Sequence, residues 1–376
     1  MADKGLQGVV VAESTLSEVN GEEGKLIYAG YAIEDLAANV TFEEVCHLLW
    51  YGELPTSSQL EQLRKRFNEN ATVHDDVLEI VRRSPEAHPM ALLRTTMSAL
   101  AGYDADAEDM SPEANDRKAV RLTAQAVTLT AAIERIRRGE TPIAPKPEYT
   151  LAGNFLYMLW GRAPTETETR IIDAALTLHA EHGMNASTFS ARVTIATLSD
   201  MHSAITSAIG TLKGPLHGGA NEQVMKMLQE IGTPDNAEKW VKEALGKGQK
   251  IMGFGHRVYR TTDPRAPILK DLAEKLSSES GDTPWLDISE NIQRTMREEM
   301  DAKGKKIYPN VDFFSASVYY TLGIPLDLFT NIFACARMAG WTAHIIEQLK
   351  DNRLIRPAVT YVGPRDKKTT PIAQRG

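Results

Sequence analysis

The chain has 376 residues, 42% hydrophobic and 24% charged, enough to bury a sizeable core and long enough for two lobes. A net charge of -8 argues against nucleic acid or an anionic membrane as the main partner, since neither polyanion would attract the molecule as a whole. The N-terminus MADKGLQG has no basic start followed by an apolar run, and no stretch reaches the ~20 apolar residues that cross a bilayer, so a soluble, unprocessed, cytoplasmic protein is expected.

Alternation in GVVVAES (8–14) and KLIYAGYAI (25–33), around the turn-rich VNGEEG (19–24), predicts a small N-terminal β-hairpin. Almost everything afterwards reads as helix, so the fold class is all-α. Thr41 and Glu44 form a capping box ahead of the apolar stripe Phe42, Val45, Leu48 and Leu49, and Gly52 and Pro55 end that segment. Helices follow near 57–69, 75–83, 90–101 and 113–138, the last with Ala119, Leu122, Ala126, Leu129, Ile133 and Ile136 on one face. Acidic YDADAED and proline-rich TPIAPKPEY are the connecting loops. Cys46 and Cys335 each lie in an apolar helical pattern, which favours buried reduced thiols over a disulfide or a metal cluster.

A second capping box, Thr165 with Glu168, opens a helix running to about 183, with Ile171, Ala175, Leu178 and His182 along its apolar face. His179 and His182 share that face, yet they lack the four-residue separation of the zinc protease motif and an obvious third ligand. No metal site is expected. His179 reads as a core histidine, and His182, with Asn185 and Ser187, as part of a polar cup. Residues 187–212 are rich in Ser, Thr, Ala and Gly, which suits close helix packing at a central or subunit-facing position. Shorter helices at 221–231, 235–246, 264–280 and 284–302 mark a smaller lobe, before a long apolar helix at 325–350 and a polar tail after Gly363.

Three segments each place one titratable residue among glycines, prolines and arginines: GPLHGGANE with His217, GFGHRVYRTTDPRA with His256, and YPNVDFFS with Asp312. Each residue lies near a helix start, where free N–H groups and the helix dipole can hold a histidine neutral or an aspartate ionised. Two imidazoles and a carboxylate suit proton abstraction beside a carbonyl. Asp263 is expected to cap a helix with Pro264 at its first position. Asp312 has an ordinary N-cap as its plainer reading. Arg257, Arg260 and Arg265 crowd around His256, and Lys247, Lys250, Lys303, Lys305 and Lys306 extend the positive bias, which a phosphate-bearing ligand would explain.

Taken in order, these segments resemble citrate synthase over nearly the whole chain, from LIYAGYAIEDLA through HAEHGMNAS, PLHGGANE, GFGHRVYRTTDPRA and PNVDFFS to ARMAGW and LIRPAVTYVGP. The length is similar to that of the short, dimeric class, without a regulatory N-terminal domain. The resemblance implies a two-lobed, almost entirely α-helical homodimer, with a large lobe over 1–218 and 324–376 and a small lobe over 219–323. It implies that Asp312 takes a proton from the acetyl-CoA methyl group, His217 donates a hydrogen bond to the enolate oxygen, and His256 polarises the ketone of oxaloacetate. His182, Arg265 and Arg337 would bind oxaloacetate together with Arg356 of the partner subunit, while Arg260, Lys305, Gly253 and Gly255 would hold CoA. Acetyl-CoA is then a substrate, and no cofactor is expected. Ala316 and Ala29 stand where the family pattern leads one to expect a glycine and an arginine. The rival readings are a 2-methylcitrate synthase using propionyl-CoA and a non-catalytic CoA-binding homologue.

Overall fold

The computed structural model describes residues 4–6, 8–280 and 284–375. Three short antiparallel strands form an N-terminal meander in the order β1 (Ser17–Asn20), β2 (Lys25–Tyr28) and β3 (Tyr31–Ala32). The expected hairpin is present, but its first strand lies later than 8–14. Pairing of Asn20 with Lys25 leaves a four-residue turn, and the register ends at Ser17 opposite Tyr28. Leu26 and Tyr28 fill the buried face, whereas Val10 upstream is 85% exposed.

The rest is helical: α1 (Ile33–Asn39), α2 (Phe42–Tyr51), α3 (Ser57–Asn70), α4 (Asp75–Arg82), α5 (Pro89–Ala99), α6 (Pro112–Arg137), α7 (Leu151–Trp160) and α8 (Glu166–His179). Then come α9 (Ala186–Ile195), α10 (Met201–Leu212), α11 (Ala220–Ile231), α12 (Pro234–Gly246), α13 (Arg265–Ser280), α14 (Pro284–Asp301), α15 (Val311–Thr321) and α16 (Phe329–Lys350). Both predicted capping carboxylates act: Glu44 Oε2 accepts the Thr41 N–H at 2.7 Å, and Glu168 Oε2 accepts that of Thr165 at 2.8 Å. Helices α1 and α7 were not anticipated. α8 stops at His179, short of the expected 183, because the Tyr28 hydroxyl donates to the Glu181 carbonyl at 2.8 Å and accepts the Glu181 N–H at 3.2 Å. Those groups are lost to the helix ladder, so His182 is carried on a loop.

Helix α16 runs through the core and packs on α2, α6, α8, α9 and α10, with Phe329, Trp341 and Ile345 buried along it. Helices α11 to α15 pack mainly on one another and meet the remainder through α8, α1 and α16. Cys46 and Cys335 are free and buried. Among the described residues no helix is long and apolar enough to cross a membrane.

Candidate active site

Two of the three sequence segments are stitched to each other by backbone. Gly255 N–H donates to the Tyr308 carbonyl at 2.8 Å, Asn310 N–H donates to the Gly253 carbonyl at 2.9 Å, and Phe254 bridges to Pro309. Gly253 holds φ 78°, and a Cβ there would fall 2.8 Å from the Phe313 ring. Chain packing therefore already requires this glycine, and ligand approach is not needed to explain it. Gly255, at φ 82°, has only Ile307 near its empty side.

Asn310, which the sequence reading passed over, organises the turn. Its Nδ2 donates to the Gly255 carbonyl at 2.9 Å and its Oδ1 accepts the Asp312 N–H at 3.0 Å, capping α15. The plainer reading of Asp312 as an N-cap is thus excluded, and its carboxylate is left free of helix duty. Asp263 does more than cap. Its Oδ1 accepts from Arg265 N–H (3.1 Å) and Nε (2.9 Å), while Oδ2 accepts from Arg265 Nη2 (2.8 Å) and from the Val311 N–H (3.2 Å). This buried pair ties the start of α13 to the start of α15. It also leaves Arg265 with Nη1 as the part of its fork that no acceptor among the described residues uses.

His256 has a fixed tautomer. Its Nδ1 accepts the N–H groups of Val258 (3.0 Å) and Tyr259 (3.1 Å), so the ring proton resides on Nε2. Burial, with help from the Arg265 cation, pushes its pKa down to about 4. The ring lies 5.3 Å from that of His182, whose Nε2 meets the Tyr259 hydroxyl at 3.1 Å. Burial also holds His182 well below the usual histidine range, with Arg265 as the next cause. The pair therefore presents neutral donors beside cationic guanidinium groups.

His217 lies three residues before α11. Its Nε2 accepts the Ser187 N–H at 3.3 Å and lies 2.8 Å from the Ser187 hydroxyl, which in turn accepts from Trp341 Nε1 at 3.1 Å. With Nε2 an acceptor, Nδ1 carries the proton. Burial and the Arg337 cation bring this histidine to about 4. The expected neutral form is present, though burial and a guanidinium account for it where the sequence pointed to a helix dipole.

Arg337 is 1% exposed, and its Nε donates to the His179 carbonyl at 2.7 Å. Its Nη1 is buried with no partner among the described residues, and burial lowers its pKa to about 10. An unpaired buried donor costs about 1–3 kcal/mol, more when charged, so the free protein holds a guanidinium that an arriving carboxylate would satisfy. His179 is a core histidine, with Nδ1 on the Ala175 carbonyl at 2.7 Å.

Asp312 departs most from its sequence reading. The helix start was expected to hold it ionised, yet burial dominates and raises it to about 7, with Arg265 pulling down and Asp263 partly cancelling that pull. The result is a stronger base than an ordinary aspartate. Arg260 and Lys305 are exposed on the loops after His256 and after α14, and Arg356 is exposed on the extended segment after α16. These three make no side-chain hydrogen bond among the described residues.

The family described as "Citrate synthase, C-terminal domain" matches residues 5–358. The chain is 50% identical over 376 residues to citrate synthase 2 of Bacillus subtilis (strain 168), covering 100% of this chain and 99% of that one. It is 42% identical to the citrate/2-methylcitrate synthase of the same organism, with 96% of each covered. Among solved structures it resembles citrate synthase of Pyrobaculum aerophilum (TM-score 0.93, 40% identity, 99% of this chain and 95% of that one). It also resembles the ternary complex of Thermoplasma acidophilum citrate synthase with carboxymethyl coenzyme A and oxaloacetate (TM-score 0.92, 36% identity, 100% of both).

Proposed function

The chain belongs to the citrate synthase family, and from that membership and the site geometry we propose how it condenses acetyl-CoA with oxaloacetate and hydrolyses the citryl thioester to citrate and CoA. Asp312 removes a methyl proton from acetyl-CoA while His217, through Nδ1–H, donates to the oxygen on which enolate charge develops. His256, through Nε2–H, donates to the ketone of oxaloacetate, and the new carbon nucleophile attacks that carbonyl. Arg337, the free edge of Arg265 and His182 receive the carboxylates. Hydrolysis of the thioester then releases CoA.

The observation that carries this reading is the pair of backbone N–H groups on His256 Nδ1, which makes the opposite nitrogen a donor that does not switch off near neutral pH. A neutral His217 suits the base as well, because an imidazolium there would pair with Asp312 and blunt it. The roles are tested by following thiol release. CoA should appear only with both oxaloacetate and acetyl-CoA present, and Asp312→Asn should lower kcat by at least ~10²-fold. Release without oxaloacetate would overturn the condensation mechanism.

The small lobe is assigned to 219–323 and the large lobe to 1–218 and 324–376, which agrees with the mutual packing of α11 to α15. Arg260 and Lys305 are assigned to the CoA phosphates, with the Gly253–Gly255 backbone beside the nucleotide. A homodimer accounts for the half-buried Ser190, Ser207 and Thr211 on α9 and α10, and for the tail's Val359 and Val362, each 92% exposed in the single chain. Arg356 would then serve the opposite protomer's oxaloacetate site. Two free buried thiols fit a reducing cytoplasm. One methylene separates the acetyl and propionyl substrates, worth ~1–3 kcal/mol. Comparison of kcat/KM for the two thioesters is expected to favour acetyl-CoA.

A further inference from the structure

The β1–β2 turn has no part in the chemistry above, yet it touches both loops that carry the keto-acid histidines. At its base, Ser17 Oγ accepts the Gly183 N–H at 3.1 Å and donates to Glu181 Oε1 at 3.0 Å, gripping the loop of His182. At its tip, the Gly21 carbonyl accepts the Arg260 N–H at 2.8 Å, on the loop of His256. The tip lies flush on that loop. A Cβ at Gly21 would overlap the Val258 carbonyl oxygen and fall 3.1 Å from Val258 Cγ1, and one at Gly24 would fall 2.9 Å from the Thr262 carbonyl oxygen. The turn is itself held in shape, with Asn20 Oδ1 accepting the Glu23 N–H at 3.0 Å.

Residues 258 and 259 thus have two faces. Their N–H groups converge on His256 Nδ1, while the Val258 carbonyl and the next N–H in the chain, that of Arg260, abut Gly21. We propose that Gly21 is a positioning residue: the hairpin tip presses and hydrogen-bonds the 258–262 backbone so that two N–H groups stay on His256 Nδ1 and its Nε2–H stays aimed at the keto acid. This rests on the proposed role of His256. The absent side chain at Gly21 is what lets the two backbones approach, and any larger residue must push Val258 away.

The test is Gly21→Ala in the full-length protein, with Gly102→Ala as control, since a Cβ at Gly102 meets nothing within 4 Å. Displacing the two donors by a fraction of an ångström should lower kcat ~10- to 100-fold. It should also free the His256 tautomer: in ¹⁵N-histidine spectra the wild-type ring should remain the Nε2–H tautomer from pH 5 to 8, whereas the variant should show the Nδ1–H form beside it. If Gly21→Ala fails to fold, Asn20→Ala decides. It adds no bulk, removes the acceptor that shapes the turn, and should show the same mixing of tautomers with a smaller loss in kcat, ~3-fold. Lower thermal stability with unchanged kcat and an unchanged His256 tautomer would overturn the proposal. His256→Ala, run in parallel, separates the two claims. If it leaves turnover near normal, the role of His256 fails; if it abolishes turnover while the Gly21 and Asn20 variants match Gly102→Ala, only the role of Gly21 fails.

Discussion

Replacing Asp312 with asparagine should cost turnover and raise stability together. Burial lifts this carboxyl from an ordinary aspartate's 3.8 to about 7, and a rise of about three in pKa, at ~1.4 kcal/mol each, bounds the cost of holding it ionised at ~4 kcal/mol. The residue keeps part of its surface open, so a gain of ~1–3 kcal/mol is expected for the neutral isostere. The sign follows from the direction of the shift. Below the unfolded pKa both states hold the proton and nothing is lost; between 3.8 and about 7 only the unfolded state ionises; above about 7 the folded protein bears the whole cost. The advantage of Asp312→Asn should therefore be full at pH 8.5 and under half as large at pH 5. Urea unfolding at both pH values, at one protein concentration because subunit association contributes, reads the difference. Equal or lower stability of the variant at pH 8.5, or a gain that does not shrink at pH 5, would refute the burial argument.

Three other outcomes follow from the same groups. In the wild type, kcat/KM should rise with pH through about 7 as Asp312 ionises, with no separate histidine step between pH 5 and 8, since His217 and His256 each lie at about 4. A second ionisation in that interval would contradict the fixed neutral imidazoles. Arg337→Met should weaken oxaloacetate binding ~10- to 100-fold by calorimetry, the loss of a charged hydrogen-bonded contact; unchanged affinity would contradict its place in the keto-acid site. Mixed dimers of Arg356→Ala with Asp312→Asn subunits should recover activity that neither variant has alone, because one of the two shared sites regains every group; absence of recovery would count against an arginine acting across subunits.

Local chemistry was legible where one stretch of chain decides it. The capping pairs Thr41–Glu44 and Thr165–Glu168, and the helices they open, needed no tertiary information. Helix α7 was missed because LAGNFLYMLW is apolar nearly all round and shows no stripe, although Thr150 caps it and Gly161 ends it at φ 72°. Those two residues were the available signal. His217, His256 and Asp312 stood out by their settings, but their electrostatics depend on partners far along the chain. Arg337 lies 120 positions from His217 in the numbering, and Asp263 reaches the Val311 N–H that begins α15. The same holds for the early end of α8, which Tyr28 imposes from β2. Asn310 was readable in principle, as an asparagine two residues before an apolar helix's first carboxylate.

The division of labour, His256 on the keto acid and Asp312 on the thioester, is tested most directly by the infrared carbonyl stretch of bound oxaloacetate. A ketone receiving the His256 Nε2–H should absorb at lower frequency than the free keto acid. The account predicts that this shift survives in Asp312→Asn and is lost in His256→Ala with oxaloacetate still bound. A shift that persists without His256, or vanishes without Asp312, would contradict it.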